Sequence, residues 1–381
     1  MNGAHMAEVF GQLWRNWYVQ DAGVGLLVLW GAWIGLSMRR RPYWLLAVRE
    51  VRQRRVAVVS FWVIVLYTAI ALCDSVGWHP ILRDREGAVL RSPGGRAVHD
   101  AAGITLLDWL LTPLRASKEK TYSAPLATHQ FTMEFVQRPD GTLVKDYPPL
   151  HHPRRHLLGT DKVGVDVLYQ SLKGIRTGII LGALTTILIL PFAILFGVVA
   201  GYFGGWIDDV VQYLYTVLAS IPSILLILAF MVIFGRGLTQ LCIIMGITSW
   251  TGLCRVLRGE TLKLREMEYV QSAEAMGVSR ARIMFRHITP NLMHLVVITM
   301  VLGFSGRVLA EAALTYIGIG VGADTYSWGK MINDARLELA RDPVIGWKLC
   351  AAFVFMLGLV LPANIFGDAV RDALDPRLRT R

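Results

Sequence analysis

Runs of about twenty apolar residues constrain this chain more than any other feature. A hydrocarbon layer roughly 30 Å thick is crossed by about 20 residues of helix. Inside it no water bonds an open backbone, so such a run satisfies its own amides as a helix. Seven candidate spans can be read, at 22–38 (a short one), 56–73, 177–200, 211–235, 238–254, 292–312 and 347–366. Composition agrees: 54% of residues are hydrophobic and 18% charged, against about 45–50% and about 25% in soluble domains. The predicted fold class is all-α, a polytopic membrane protein with about seven transmembrane helices.

Lys and Arg assign the loops to sides, because basic loops stay cytoplasmic. Arg39, Arg40, Arg41, Arg49, Arg52, Arg54 and Arg55 lie between the first two spans, whereas the preceding tail carries only Arg15. The N-terminus is therefore expected outside, and the first span is not a cleaved leader, whose charge would precede its apolar core. Alternation then places 74–176 outside, the 201–209 turn inside, 235–237 outside, 255–291 inside, 313–346 outside and the C-terminal tail inside. The 255–291 segment carries seven basic residues (Arg255, Arg258, Lys263, Arg265, Arg280, Arg282 and Arg286), and the tail carries Arg371, Arg377, Arg379 and Arg381. The net charge of +11 thus reads as membrane topology. No RNA- or DNA-binding motif accompanies it, so nucleic acid is not an expected partner.

The resulting organisation is an extra N-terminal span with a basic linker (1–55), a second span (56–73), an extracytoplasmic segment (74–176), a helical core (177–370) and a tail (371–381). Within 74–176, residues 104–114 are too short to span and read as a short amphipathic helix. Residues 131–144, with Pro139-Asp140-Gly141 in the middle, read as a β-hairpin or loop. Cys73, Cys242, Cys254 and Cys350 all sit in or beside apolar runs without a CxxC spacing, as small buried hydrophobes do. His151, His152 and His156 are interrupted by Pro153, Arg154 and Arg155, and read as a solvated basic patch, with no metal site. There is no GxxxxGK[ST] loop, HExxH or GxSxG, so the chain is expected neither to hydrolyse ATP nor to be an enzyme, and to bind no cofactor itself.

The most informative stretch lies in 268–291. A helix-forming run from Glu268 ends at Gly277, a residue type favoured just past a helix end. Ser279 can cap a second short helix, and Pro290 is expected to separate this element from the next span. Ala273, Ala275 and Gly277 allow close backbone approach, while Met276, Val278, Ile283 and Phe285 are apolar knobs. The expectation is a helix–turn–helix on the cytoplasmic face that fits a groove on a partner.

This stretch resembles the EAA loop of ATP-binding-cassette (ABC) importer permeases. Tyr269-Val270-x-x-Ala273-x-Ala275-x-Gly277, followed by Arg286-His287-x-x-Pro290-Asn291, is similar to the oligopeptide/dipeptide/nickel branch, with Gln271 in place of the first motif Glu. Leu158-Gly159-Thr160-Asp161 with Gly164, Asp166, Val167 and Leu168 looks like another of its stretches, with Val165 where Arg is usual. So do Gly201-Tyr202-Phe203-Gly204-Gly205 with Asp208, Ile221-Pro222-Ser223, Glu311-Ala312-Ala313-Leu314, Gly318-Ile319-Gly320, Ser327-Trp328-Gly329 and the C-terminal Gly367-Asp368, Arg371-Asp372, Leu374-Asp375-Pro376-Arg377. Their order covers roughly 44–73 and 157–377 and leaves the first span and 75–150 outside the likeness.

The resemblance implies a six-helix permease core in the bacterial cytoplasmic (inner) membrane, here with one helix added in front. It implies a second homologous permease, two cytoplasmic ATPases that use ATP and Mg, an extracytoplasmic substrate-binding protein and membrane lipid as partners. The ATPase-coupling residues it points to are Tyr269, Ala273, Glu274, Ala275, Met276, Gly277, Val278, Ile283, Phe285, Arg286, His287 and Pro290. Gate or pathway candidates are Pro222, Arg307, Glu311, Ser327, Trp328 and Gly329. Peptides are the expected cargo; nickel or another small solute is the alternative, and an ion-coupled secondary transporter the rival class, which should carry inverted repeats and several intramembrane carboxylates.

Three features can be weighed on physical grounds alone. Gly178 and Gly182 lie one turn apart, a small-xxx-small pattern for close helix packing. Pro191 and Pro222 each remove a helical hydrogen bond within a span. Arg307 and Glu311 are four apart, hence on one helix face, and pairing would lower the cost of a charge in the bilayer, about 2.5–3.5 kcal/mol on insertion scales.

Overall fold

The structure, a computed structural model, describes residues 42–78, 103–137, 143–322 and 324–374. The expected first span at 22–38 lies outside the described residues. Among those described, five helices are long and apolar enough to cross a membrane: α2 (Arg55–Ser75), α5 (Val167–Phe203), α8 (Leu238–Arg265), a continuous run Arg280–Tyr316, and α13 (Trp347–Leu374). A sixth crossing is possible if α6 (Gly205–Ser220) and α7 (Ser223–Phe234), bent by 82°, count as one. A helix α1 (Pro42–Gln53) precedes α2.

The bend breaks the single span expected at 211–235 at Pro222, the residue expected to remove a helical hydrogen bond there. Ile221 is extended (φ −90°, ψ 126°), as the residue before a proline is pushed to be. Pro222 then restarts the helix, its carbonyl accepting from the Leu225 and Leu226 amides. Pro191, in contrast, lies within the uninterrupted α5. The expected turn at 201–209 shrinks to Gly204, which at φ 65° links α5 to α6.

Two compact units divide the chain, one of 65–176 with 326–355 and one of 43–64, 177–325 and 356–381. In the first unit β1 (Gly77–Trp78) pairs with β2 (Ile104–Thr105). The single helix expected at 104–114 is instead this strand followed by α3 (Leu106–Leu110) and α4 (Thr112–Ala116). Thr105 and Asp108 form a capping box that starts α3 late, and Pro113 sits in the first turn of α4, where its missing amide costs nothing. The hairpin expected around 131–144 is present as β3 (Glu134–Gln137) against antiparallel β4 (Leu143–Asp146).

Polar burial holds the first unit together. Lys173 on α5 reaches Asp74 at 2.6 Å and Asp108 at 3.0 Å, and the Tyr169 hydroxyl donates to Asp108 at 2.7 Å. Trp328, at the start of α12 (Trp328–Leu339), is fully buried and donates its indole N–H to the Ser171 carbonyl at 3.1 Å. The facing residue is Gly174, where an added Cβ would come within 3.0 Å of the indole. His156 corrects the reading of a solvated patch. It is buried, with Nδ1 2.8 Å from Asp166, and Glu119 beside it accepts the backbone amides of His151 and His152.

The second unit packs its helices closely through glycine. A Cβ at Gly197 would lie 2.9 Å from the Cys254 carbonyl, and one at Gly201 2.6 Å from Thr261 Cβ, so α5 and α8 are in backbone contact. Gly182, one of the two glycines singled out above, faces the Phe304 ring. Asp208, in the first turn of α6, takes both Nε and Nη2 of Arg258 on α8, the latter at 2.6 Å. Cys242 and Cys254 are buried as expected, but Cys350 is exposed and Cys73 half-buried.

Candidate functional site

Residues 255–291 are almost wholly helical. α8 continues to Arg265, and α9 (Glu268–Ala275) follows after the Glu266–Met267 link. α9 ends in a Schellman turn: the Val278 amide donates to the Ala273 carbonyl at 3.1 Å and the Gly277 amide to that of Glu274 at 2.9 Å. Gly277 has φ 76°, the left-handed region open to glycine. The helix end expected there is thus where sequence placed it.

The next two expectations need correction. Ser279 is the N-cap of the short α10 (Arg280–Arg282), but its side chain makes no capping bond. Pro290 separates nothing. A π turn at Ile283–Ile288 runs directly into α11 (Thr289–Tyr316), with Pro290 in the first turn of α11. In an α-helix the proline ring would clash with the carbonyl four residues back. The wider turn, in which the Thr289 amide donates to Met284, shifts the ladder by one residue ahead of the ring.

The coupling candidates divide into two sets by exposure. Ala273 and Ile283 are buried with Val270 in a core cluster that also holds Tyr202, Leu253 and Leu257. Met276 is 76% exposed, Phe285 57% and Tyr269 42%, and Glu274, Ala275, Gly277 and Arg286 are also exposed. Val278, His287 and Pro290 are half-buried. α9 is therefore anchored on one face and presents an apolar, glycine-hinged surface on the other.

Polar contacts fix its pose. The Tyr202 hydroxyl, at the end of α5, donates to Glu274 at 2.5 Å, and Asn291 donates to the Tyr269 hydroxyl at 3.1 Å. Gln271 donates its amide to the Glu266 carbonyl at 3.2 Å. A glutamate has no proton to give there when ionised, so the substitution in the motif has a use of its own. Sequence reasoning missed the Tyr202–Glu274 and Asp208–Arg258 contacts, whose partners are 72 and 50 residues apart. The motif Gly201-Tyr202-Phe203-Gly204-Gly205 contained one of these residues without revealing its partner.

The six pathway candidates fall in different units. Pro222, Arg307 and Glu311 are in the second. Ser327, Trp328 and Gly329 are in the first, where Ser327 caps α12 by accepting the Lys330 amide at 3.0 Å. Arg307 donates to Thr186 at 2.8 Å. Glu311 is 1% exposed and accepts from Thr315 at 2.8 Å, and the same Thr315 oxygen accepts the Val321 amide at 3.3 Å. Glu311 thereby braces the turn at Gly318, which has φ 86°.

Comparison with known proteins gives this arrangement a setting. Residues 193–380 match the family of binding-protein-dependent transport system inner membrane components. The oligopeptide transport system permease protein OppC of Bacillus subtilis is 35% identical over 234 residues, 61% of this chain and 75% of that one. The dipeptide transport system permease protein DppC of the same organism is 32% identical, over 59% and 69%. The glutathione transport system permease protein GsiD of Pectobacterium atrosepticum is 30% identical, over 66% and 83%. The matched region contains both α9 and α11, and the chain belongs to the oligopeptide/dipeptide branch of these inner-membrane components, as a permease subunit of an ABC importer.

Proposed function

We propose that this chain forms half of a translocation pathway for short peptides and is driven through α9 by a cytoplasmic ATPase. The carrying observation is the two-sided character of α9: Val270 and Ala273 are locked into the core, and Met276 is left open beside a left-handed glycine. Such an element transmits a rigid-body displacement, because its inner face cannot slide without dragging α5, α8 and α11. The peptide class follows from the relatives, named for transport of oligopeptides, dipeptides and glutathione.

The working assembly would be this chain, a second homologous permease, two ATPases and an extracytoplasmic binding protein. ATP and Mg would be bound by the ATPases, and this chain would carry no catalytic group. ATP closes the ATPase pair and draws the coupling helices together. The core then turns outward to receive peptide from the binding protein, and hydrolysis resets it. The shift is driven by the difference in ATP affinity between the two states. Orientation follows the charge rule, with α9 and the C-terminus inside and the N-terminus outside. Pro222 supplies a bend between α6 and α7, and Arg307 and Glu311 hold the end of α11 beside the pathway.

The test is uptake of labelled tri-alanine into proteoliposomes holding the co-purified complex and its binding protein. Uptake should require internal ATP and survive ionophores that collapse proton and sodium gradients. Uptake that persists without ATP and stops with ionophore contradicts the proposal.

A further inference from the structure

Two adjoining clefts of about 250 and 290 Å³ line one face of α12 in the first unit, sharing Lys162 and Asp334. Lys330, Asp334 and Glu338 succeed one another at four-residue steps, so they form one stripe along this face. Glu338 is 3% exposed. Its Oε1 accepts from the Tyr122 hydroxyl at 3.3 Å, while its Oε2 is buried without any hydrogen-bond partner, and the residue borders the second cleft.

Two nearby cations have other partners. The Lys348 ammonium is 3.0 Å from Asp334 and 3.9 Å from Asp161. The Arg341 guanidinium lies over the Tyr122 ring at 5.2 Å from its centre. Two carboxylates, Asp161 and Asp334, thus share the one buried ammonium of Lys348. A buried carboxylate oxygen left unbonded costs free energy, and turning the Glu338 side chain toward the second cleft, which the residue borders, would bring that oxygen to a donor.

We propose that this groove is a primary-ammonium site filled by the free amino terminus of a short peptide, which donates to Glu338 and Asp334. This assignment of the ligand rests on the peptide reading above. The spacing along α12 supports it. Glu338 and Lys330 are eight residues apart, about 12 Å of helix rise. An extended chain covers roughly 3.3–3.6 Å per residue, so a peptide of about three or four residues places its amino group at Glu338 and its carboxylate at Lys330. Leu337 and Met331 supply apolar contact between the two ends.

The experiment measures binding of tri-alanine and of N-acetyl-tri-alanine by titration calorimetry. The sample is the full chain with its co-purifying subunits in lipid nanodiscs, without the binding protein. Tri-alanine should bind, and both E338Q and acetylation of the peptide should weaken binding at least about tenfold, as loss of a charge-assisted bond does. Should E338Q fail to fold, the two peptides on the natural chain decide the matter alone. Equal affinity for both peptides, or no binding of tri-alanine, overturns the groove. Proteoliposome uptake separates this inference from the reading it rests on. Peptide uptake without tri-alanine binding here rejects the groove alone. Glu338-dependent binding in a complex that takes up no peptide supports the groove and rejects the transport reading.

Discussion

Replacing Gly277 by alanine isolates the hinge of α9. A Cβ at this position would meet nothing within 4 Å, so the substitution introduces no clash. Its whole cost is conformational. At φ 76° an L-residue with a β-carbon is disfavoured by about 1–2 kcal/mol, a factor of about 5–30 in a local equilibrium. Asparagine tolerates the left-handed region better than alanine does, and a β-branched valine worse. The expected order of ATP-driven uptake at constant expression is Gly, then Asn, then Ala, then Val. ATPase turnover of the complex should lose its stimulation by binding protein in parallel. Because the Schellman bonds from Gly277 and Val278 tie this turn to Glu274 and Ala273, hydrogen exchange at those two amides reports the opening directly. Uptake and exchange in Gly277→Ala equal to those of the natural chain would refute the hinge.

Other consequences can be checked separately. Trp328→Ala should destabilise the first unit by about 3–5 kcal/mol, as loss of a large buried aromatic does, and Trp328→Phe by less; thermal melting in detergent reads both. A double-mutant cycle on Asp208→Asn and Arg258→Met should show a coupling of about 2 kcal/mol, within the range for directly bonded charges; additivity would mean that the pair contributes nothing. Asp108 is pushed up by burial, but bonds from Tyr169, the Thr105 backbone and Lys173 outweigh this and hold it below the usual carboxylate range. Its stabilising effect is therefore full above a pH of about 4 and is lost as pH falls further, so acid should lower the melting temperature of the natural chain more than that of Asp108→Asn. Burial first, and then nearby carboxylates, hold Glu338 above the usual range against the pull of Lys348 and Tyr122. Its ionisation costs the folded state stability as pH rises past about 4.3, so Glu338→Gln should raise the melting temperature at pH 7 and leave it unchanged at pH 3.

Much of this architecture was legible because bilayer physics leaves few choices. The apolar runs at 56–73, 177–200, 238–254, 292–312 and 347–366 each lie inside an observed helix, since any such run must bond its own backbone. Gly277 was readable as a helix end for the same local reason. Pro222 was readable as a perturbation but not as an 82° bend, because a kink angle depends on what packs against it. Pro290 misled: a π turn one step ahead absorbs the ring, and no residue pattern announces it. His156 misled too, because the partners of its ring, Asp166 and Glu119, lie 10 and 37 residues away in sequence. The groove along α12 was invisible for a similar reason. Glu338, Tyr122 and Lys162 are scattered over the chain, and only the fold brings them to one cleft.

Coupling through α9 is tested most directly by a single cross-link. Met276, 76% exposed, would be replaced by cysteine in a chain whose four natural cysteines are changed to serine, then treated with a thiol cross-linker in inside-out vesicles containing the ATPase. A covalent adduct to the ATPase, whose yield changes on adding ATP, is the expected result. Labelling of the same cysteine by an impermeant reagent from outside intact cells, with no ATPase adduct in the vesicles, would contradict the account.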